Sequence, residues 1–403
     1  MPSTPPDGEA APPDGVLPPT ALDALGATPL SFYVHVPFCL VRCGYCDFNT
    51  YTTDQLGPGG GRDDWLAAAH AEIDLAARVL GPASPPASTV FFGGGTPTLV
   101  SPGQLAGVLK HIRDAFGLSA DAEVTTEANP ETVGPNELEA LRAGGINRLS
   151  LGMQSAVPHV LATLDRLHTP GRALEAVAEA RAAGFEQISL DLIYGTPGES
   201  ERDWQTSLDA VIGADPDHVS AYALVIEPGT AMARRVARGE LQPVDEDQQA
   251  DHYLLAEELL TGASYHNYEV SNWARSVASR SRHNLAYWQG ANWWGVGPGA
   301  HSHVGGVRWW NLRHPARYTA ALASGRSPAQ AREVLDAASR RTERVLLEIR
   351  LADGLPTDVL TTSEQTRLPG LVDRGLAVQA GGRVRLTLAG RLLADAVVRD
   401  LLD

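Results

Sequence analysis

From residue 30 to about 226 the chain alternates short runs rich in β-branched and aromatic residues with longer amphipathic stretches, and this alternation restricts the fold more than any other feature. The β-type runs are 31–36, 88–92, 122–127, 148–153, 187–194 and 218–226. Between them, 63–80 carries Trp65, Ala69, Ile73, Ala76 and Leu80 at helical spacing, and 102–116, 135–142, 170–183 and 200–212 follow the same period. Such an order implies a parallel sheet with right-handed crossovers, either an open doubly wound sheet or a full or partial barrel. Polar or glycine-rich elements follow directly on the strands: a cysteine loop, residues 93–97, Glu127 and residues 195–198. Strand C-terminal ends build the active sites of barrels, so this accumulation favours a barrel.

The rest of the chain divides by composition. Residues 1–28 are rich in Pro, Ala and Asp, lack Lys and Arg, and read as a disordered tail, neither signal nor transit peptide. The barrel is expected over 29–226. A mixed extension, 227–326, holds helical stretches at 231–239 and 245–260 and then an aromatic, His- and Asn-rich region, 265–313. The remainder, 327–403, is helical apart from a hairpin around Gly381 and Gly382, as in a small winged-helix-like domain. No apolar run approaches the ~18 residues of a membrane span. A net charge of -16 repels polyanions, which argues against free nucleic acid or an anionic membrane as a bulk partner.

The chain has three cysteines, Cys39, Cys43 and Cys46, spaced C-x3-C-x2-C directly after the first expected strand. An odd number in one place is not a secreted disulfide framework and points to a reducing, cytoplasmic setting. Three thiolates on one short loop can each ligate an iron of a cubane cluster, leaving a fourth iron open. A zinc site completed by a histidine such as His35, or three plain thiols, are the other readings. Zinc sites use paired ligand elements, and no second pair is present.

The string from Tyr33 through Cys39, Cys43, Tyr45 and Cys46 to Phe48 resembles the radical S-adenosylmethionine (SAM) superfamily, in particular the branch of oxygen-independent coproporphyrinogen dehydrogenase and its relatives. The resemblance runs from about residue 30 to the C-terminus. It implies a partial (β/α)6 barrel, in agreement with the strands counted independently. It also implies a [4Fe-4S] cluster on Cys39, Cys43 and Cys46, with SAM on the open iron and competence for SAM cleavage. Residues 93–97, Gly-Gly-Gly-Thr-Pro, are similar to the superfamily's SAM-amino-binding motif. By the same resemblance Tyr33, Tyr45, Gly94, Gly95, Thr96, Glu127, Gln154, Arg166 and Asp191 fall where related proteins contact SAM. Without the resemblance, the glycine run reads equally as a tight turn and Arg166 as a surface helix residue. Glu127 and Asp191 would read as capped or paired strand residues.

Two features separate the branches. The dehydrogenases carry a further cysteine where this chain has Phe48, and the HemW-type heme-chaperone branch has phenylalanine there. That branch adds an H-N-x-x-Y-W motif, which His283, Asn284, Tyr287 and Trp288 supply. The resemblance therefore implies heme binding and transfer to an acceptor protein, membrane-bound respiratory proteins among the candidates. SAM-dependent oxidation of coproporphyrinogen III is the alternative, disfavoured by Phe48. Neutral imidazole can ligate heme iron and aromatic faces can cover the macrocycle, with His266, His301 and His303 as rivals to His283.

Overall fold

The computed structural model describes residues 8–166 and 169–402; the first seven residues of the expected tail and Asp403 lie outside them. Six strands form where expected: β1 (Leu30–Val36), β2 (Ala87–Gly94), β3 (Leu118–Ala128), β4 (Arg148–Gln154), β5 (Gln187–Tyr194) and β6 (His218–Ala223). The crossovers carry α1 (Arg62–Leu80), α2 (Pro102–Phe116), α3 (Pro135–Ala143), α4 (Arg172–Ala182) and α5 (Glu201–Ala214). Each strand pairs parallel to the next in chain order. A doubly wound sheet reverses its order at a switch point, whereas an unbroken progression is that of a barrel. This barrel does not close, because the sheet ends in the edge strands Glu9–Ala10 and His266–Glu269.

Local chemistry sets the boundaries. Ser101 and Gln104 form a reciprocal capping box ahead of Pro102 at the start of α2, and Gly117, at φ +77°, ends it. Along β1 the even positions Leu30, Phe32, Val34 and Val36 are buried and apolar, while Ser31, Tyr33 and His35 alternate with them. Phe32 packs 4.8 Å from Phe116 of α2, so the even face meets the helices and the odd, polar face lines the lumen.

The mixed extension expected over 227–326 is built into the barrel sheet. Its strand Asn292–Val296 pairs parallel with β1, and His301–Val304, Val307–Asn311, Ala329–Val334 and Glu9–Ala10 continue that edge. Asn272–Ala274 and His266–Glu269 extend the sheet beyond β6. Both open edges of the parallel core are thereby covered, a demand that strand periodicity alone does not reveal. The boundary at 327 also moves, since Ala329–Val334 belongs to the large sheet and the second apolar core begins at Val345. That core gathers Ile349, Leu355, Leu371, Val397 and Leu401 around a hairpin, Ala377–Ala380 and Arg383–Leu386, whose turn residues Gly381 and Gly382 both have positive φ.

The tail is corrected as well. From Gly8 onward it is built into the structure: Leu17, Ala21 and Leu25 are buried in the main core, and Glu9 pairs with Arg332. Composition measures what a segment can bury by itself; these side chains complete a core made by other elements. A buried carboxylate fastens α1 to the extension. Glu72 accepts hydrogen bonds from Gly297 N–H (2.8 Å), Asn311 (2.7 Å) and the Tyr318 hydroxyl (2.6 Å). Burial outweighs these three bonds and lifts its pKa to about 7. Among the described residues no helix is long and apolar enough to cross a membrane.

Candidate functional site

The cysteine loop leaves the C-terminal end of β1 and is fixed by backbone bonds on both limbs. Cys39 N–H donates to Tyr51 O (3.0 Å), Tyr51 N–H to Pro37 O (2.7 Å), and Cys46 N–H to Cys43 O (3.1 Å). The three thiols are unpaired and half-buried. Burial, reinforced by the neighbouring Cys46, raises Cys39 to about 11, and burial raises Cys46 too. Cys39 and Cys46 hold their protons until a cation displaces them. Both ring nitrogens of His35 are engaged, Nδ1 with the Tyr33 hydroxyl (3.0 Å) and Nε2 with Asn49 O (2.9 Å), so it offers no fourth zinc ligand. Among the described residues no three His, Cys, Asp or Glu side chains converge on one ion.

The glycine segment after β2 lies directly against this loop. Gly95 N–H donates to Val36 O (2.8 Å) and Thr96 N–H to Phe38 O (2.8 Å). A Cβ on Gly95 would collide with Phe38 O and sit 3.0 Å from Cys39 Sγ. Gly94 takes φ +113°, and its N–H donates to Glu127 Oε2 at 3.0 Å. Glu127 and Asp191 face the same lumen. Asp191 is held by Ser150 (2.7 Å) and Ser189 (3.2 Å), and burial raises its pKa against these bonds. Glu127 is lifted to about 8, first by burial and then by the charge of Asp191, with only the Gly94 N–H opposing. Two half-buried carboxylates are thus neighbours on the lumen wall, an arrangement that favours a positively charged group between them.

A pH dependence follows. The ligand-free folded chain keeps a proton on Glu127 that the unfolded chain releases near 4.5, so stability falls as pH rises from about 4.5 through about 8. Glu127→Gln removes this contribution. Between pH 6 and 8.5 the variant is expected to lose less stability than wild type, by on the order of 2 kcal/mol. Urea midpoints at the two pH values check this, and parallel losses in both proteins would contradict it.

On the opposite wall Arg166 lies past the end of the helix Pro158–Thr163, so it is not a surface helix residue. Its Nη1 donates to Cys43 Sγ at 3.5 Å and its Nη2 to Gly152 O at 3.4 Å, while its buried Nε has no partner among the described residues. Gln154 is buried and has φ +66°, unusual for a residue with a side chain. A Cβ on Gly152 would come within 2.8 Å of Gln154 Nε2 and 2.7 Å of Arg166 Nη2. Gly152 thus makes room for both, a role the sequence reading missed. So did Ser150 and Ser189. Their signal was period-two alternation: polar Ser150, Gly152, Ser189 and Asp191 interleave with buried Leu149, Leu151, Ile188 and Leu190. Tyr45 packs on a small apolar cluster with Ile193, Leu224 and Met232.

The H-N-x-x-Y-W motif forms α6 (Arg282–Trp288), which sits under the lumen. Glu123 caps it, accepting from Arg282 N–H (3.1 Å) and His283 N–H (3.0 Å). His283 is 2% exposed and stacks on Phe91 with ring centroids 5.0 Å apart. Its Nδ1 bonds Thr89 Oγ1 (2.6 Å) and its Nε2 the Tyr287 hydroxyl (2.9 Å), and burial lowers its pKa to about 3. The expected open imidazole is therefore not what the fold presents: His283 is neutral, enclosed and fully hydrogen-bonded. Asn284 bonds Glu269 (3.1 Å), and Trp288 is half-buried. Of the rivals, His303 bonds Ala291 O (2.9 Å), His301 stacks on Trp310, and His266 is exposed on an edge strand.

The sequence profile of the radical SAM superfamily matches residues 33–211. A Mycobacterium tuberculosis (strain H37Rv) protein named heme chaperone HemW is 54% identical over 374 residues, covering 93% of this chain and 95% of its own. The chain belongs to the HemW heme chaperone family. A second HemW, from Bacillus subtilis (strain 168), is 32% identical over 376 residues, 91% of this chain and 97% of its own. Among solved structures, coproporphyrinogen III oxidase (HemN) from Escherichia coli superposes with a TM-score of 0.79, covering 97% of this chain and 96% of that one. At 24% identity this shows the shared fold alone. Like other branches of the radical SAM superfamily, the HemW family implies a [4Fe-4S] cluster and SAM.

Proposed function

We propose that this protein is a heme chaperone that holds a [4Fe-4S] cluster and SAM at the mouth of the barrel, binds heme and passes it to an acceptor protein in the reducing cell interior. The observation that carries the reading is the 54% identity, over 93% of the chain, to a protein named heme chaperone HemW.

The residues present fit the two groups. Cys39, Cys43 and Cys46 are free thiols on one pinned loop and would hold three irons. Gly94, Gly95 and Thr96 bring bare backbone against that loop, where only a residue without a side chain fits at 95. Glu127 and Asp191 would receive the cationic groups of SAM, and the Nε of Arg166, without a partner among the described residues, would meet its carboxylate beside Gln154. Tyr33 and Tyr45 line the lumen wall and the loop. When bound, cluster and SAM together supply reductive cleavage of a sulfonium bond. His283, Asn284, Tyr287 and Trp288 act first as the floor beneath this site; a heme role for His283 requires Tyr287 or Thr89 to let go of its ring.

The test is anaerobic. The cluster is reconstituted, heme is titrated spectroscopically, and the same sample is assayed for SAM cleavage and coproporphyrinogen consumption. Stoichiometric heme binding without porphyrinogen turnover is expected. Turnover, or no heme binding, overturns the reading.

A further inference from the structure

We propose that a cationic pocket beside the cysteine loop receives the carboxylate edge of the heme; this rests on the heme-chaperone reading above. The pocket has a volume of about 400 Å³, within the ~300–1,000 Å³ range of small-molecule sites. Arg42, Arg313, Arg317 and His314 line it, together with the rings of Phe48 and Tyr51. No Asp or Glu is among the described lining residues, in a chain with 48 acidic and 32 basic side chains. The local field is thus opposite to that of the whole molecule.

Arg42, Arg317 and His314 have donors to spare among the described residues. Arg42 is exposed, and among the described residues its hydrogen bonds go to the carbonyls of Cys46 and Phe48, both at 3.3 Å, with no carboxylate partner. Arg317 is exposed in the first turn of α7 (Pro315–Ala323). His314 caps that helix, its Nδ1 accepting from Ala316 N–H at 3.3 Å. The ring hydrogen is then on Nε2, a donor toward an incoming anion, and the helix N-terminus adds to the positive field.

The rings define the rest of the ligand. Phe48 is 50% exposed, a large apolar face beside three guanidinium groups. Tyr51 packs edge-on to His314 at 5.7 Å between ring centroids. Guanidinium forks recognise carboxylates in pairs, and aromatic faces take flat apolar surface. A planar macrocycle bearing carboxylates on one edge has both properties; inorganic phosphate has no use for Phe48. The pocket also has two walls of different origin. Asn49 Nδ2 donates to Pro298 O (3.0 Å) and Arg313 O (2.8 Å), so the limb returning from Cys46 is laced to the extension where the pocket opens.

The experiment titrates full-length protein with protoporphyrin IX, with its dimethyl ester and with heme, in wild type, Arg317→Ser and the Arg42→Ser/Arg317→Ser double variant. Free carboxylates are expected to matter: the diester should bind wild type at least about ten-fold more weakly than the diacid, and the variants should lose about ten-fold for the diacid alone. Equal binding of diacid and diester by wild type overturns the pocket assignment while leaving the heme reading intact. No tetrapyrrole binding by wild type overturns the heme reading and the pocket with it. Arginine-dependent binding of pyrophosphate without arginine-dependent binding of the diacid makes it a phosphate site and overturns the proposal too.

Discussion

Cys43→Ser protein, reconstituted anaerobically with iron and sulfide, is expected to retain almost none of the iron that wild type holds. The chain contains three cysteines, and no fourth can substitute for a lost ligand. Three thiolates already leave one iron without protein support, and two would leave half the cube exposed. The loss should be confined to the metal. Cys43 Sγ receives a long contact from Arg166, lies beside the Tyr45 hydroxyl and is only half-buried, so stability without iron should change by no more than about 1 kcal/mol. Iron per chain, cluster absorbance and a urea midpoint read out the two parts separately. A variant that keeps more than half its iron would remove Cys43 from the ligand set.

Gly95→Val is expected to abolish SAM binding and impair cluster assembly at once. The reason is space, not backbone torsion. A side chain there would drive into the Phe38 carbonyl, which is backbone and cannot swing aside, and crowd Cys39 Sγ at 3.0 Å. Phe38 O already accepts from Thr96 N–H, so relief means separating the glycine segment from the cysteine loop. SAM affinity should fall by at least about 100-fold, since misplacement by about an ångström at a positioned site has effects of that size. Gly107→Ala is the control, in a helix position with open space around it, and should stabilise by up to about 1 kcal/mol. Unchanged SAM binding in Gly95→Val would show that the segment does not grip SAM.

Much of this could be read from the chain because local rules and tertiary structure agree over the barrel. α2 begins at a Ser-Pro capping box and ends at a glycine, and β5 is bounded as its pattern requires. The clustered cysteines and the glycine segment were visible as motifs, and the structure brings them into contact. What was not legible depends on distant pairing. Nothing near 292–296 announces that this strand completes the edge of β1, and Leu17 in a proline-rich stretch gives no sign of the core it enters. Arg166 misled because a helix, Pro158–Thr163, ends just before it, yet its side chain turns inward through the gap left by Gly152. The histidine of the H-N-x-x-Y-W motif was recognisable, but the Thr89 bond that helps enclose it comes from β2, 194 positions away in the chain.

The strand order has a consequence for biosynthesis. β1 finds β2 soon after it emerges from the ribosome, but its other neighbour is Asn292–Val296, and the loop residue Asn49 waits for Pro298, 249 positions later. Contacts of such separation close late. Through most of translation the thiols therefore hang from an unsealed edge, and metal delivery is best timed after the extension has been made. A ribosome-stalled chain ending before residue 290 would be a poor acceptor of iron, and oxidative damage to Cys39, Cys43 and Cys46 would concentrate in that interval.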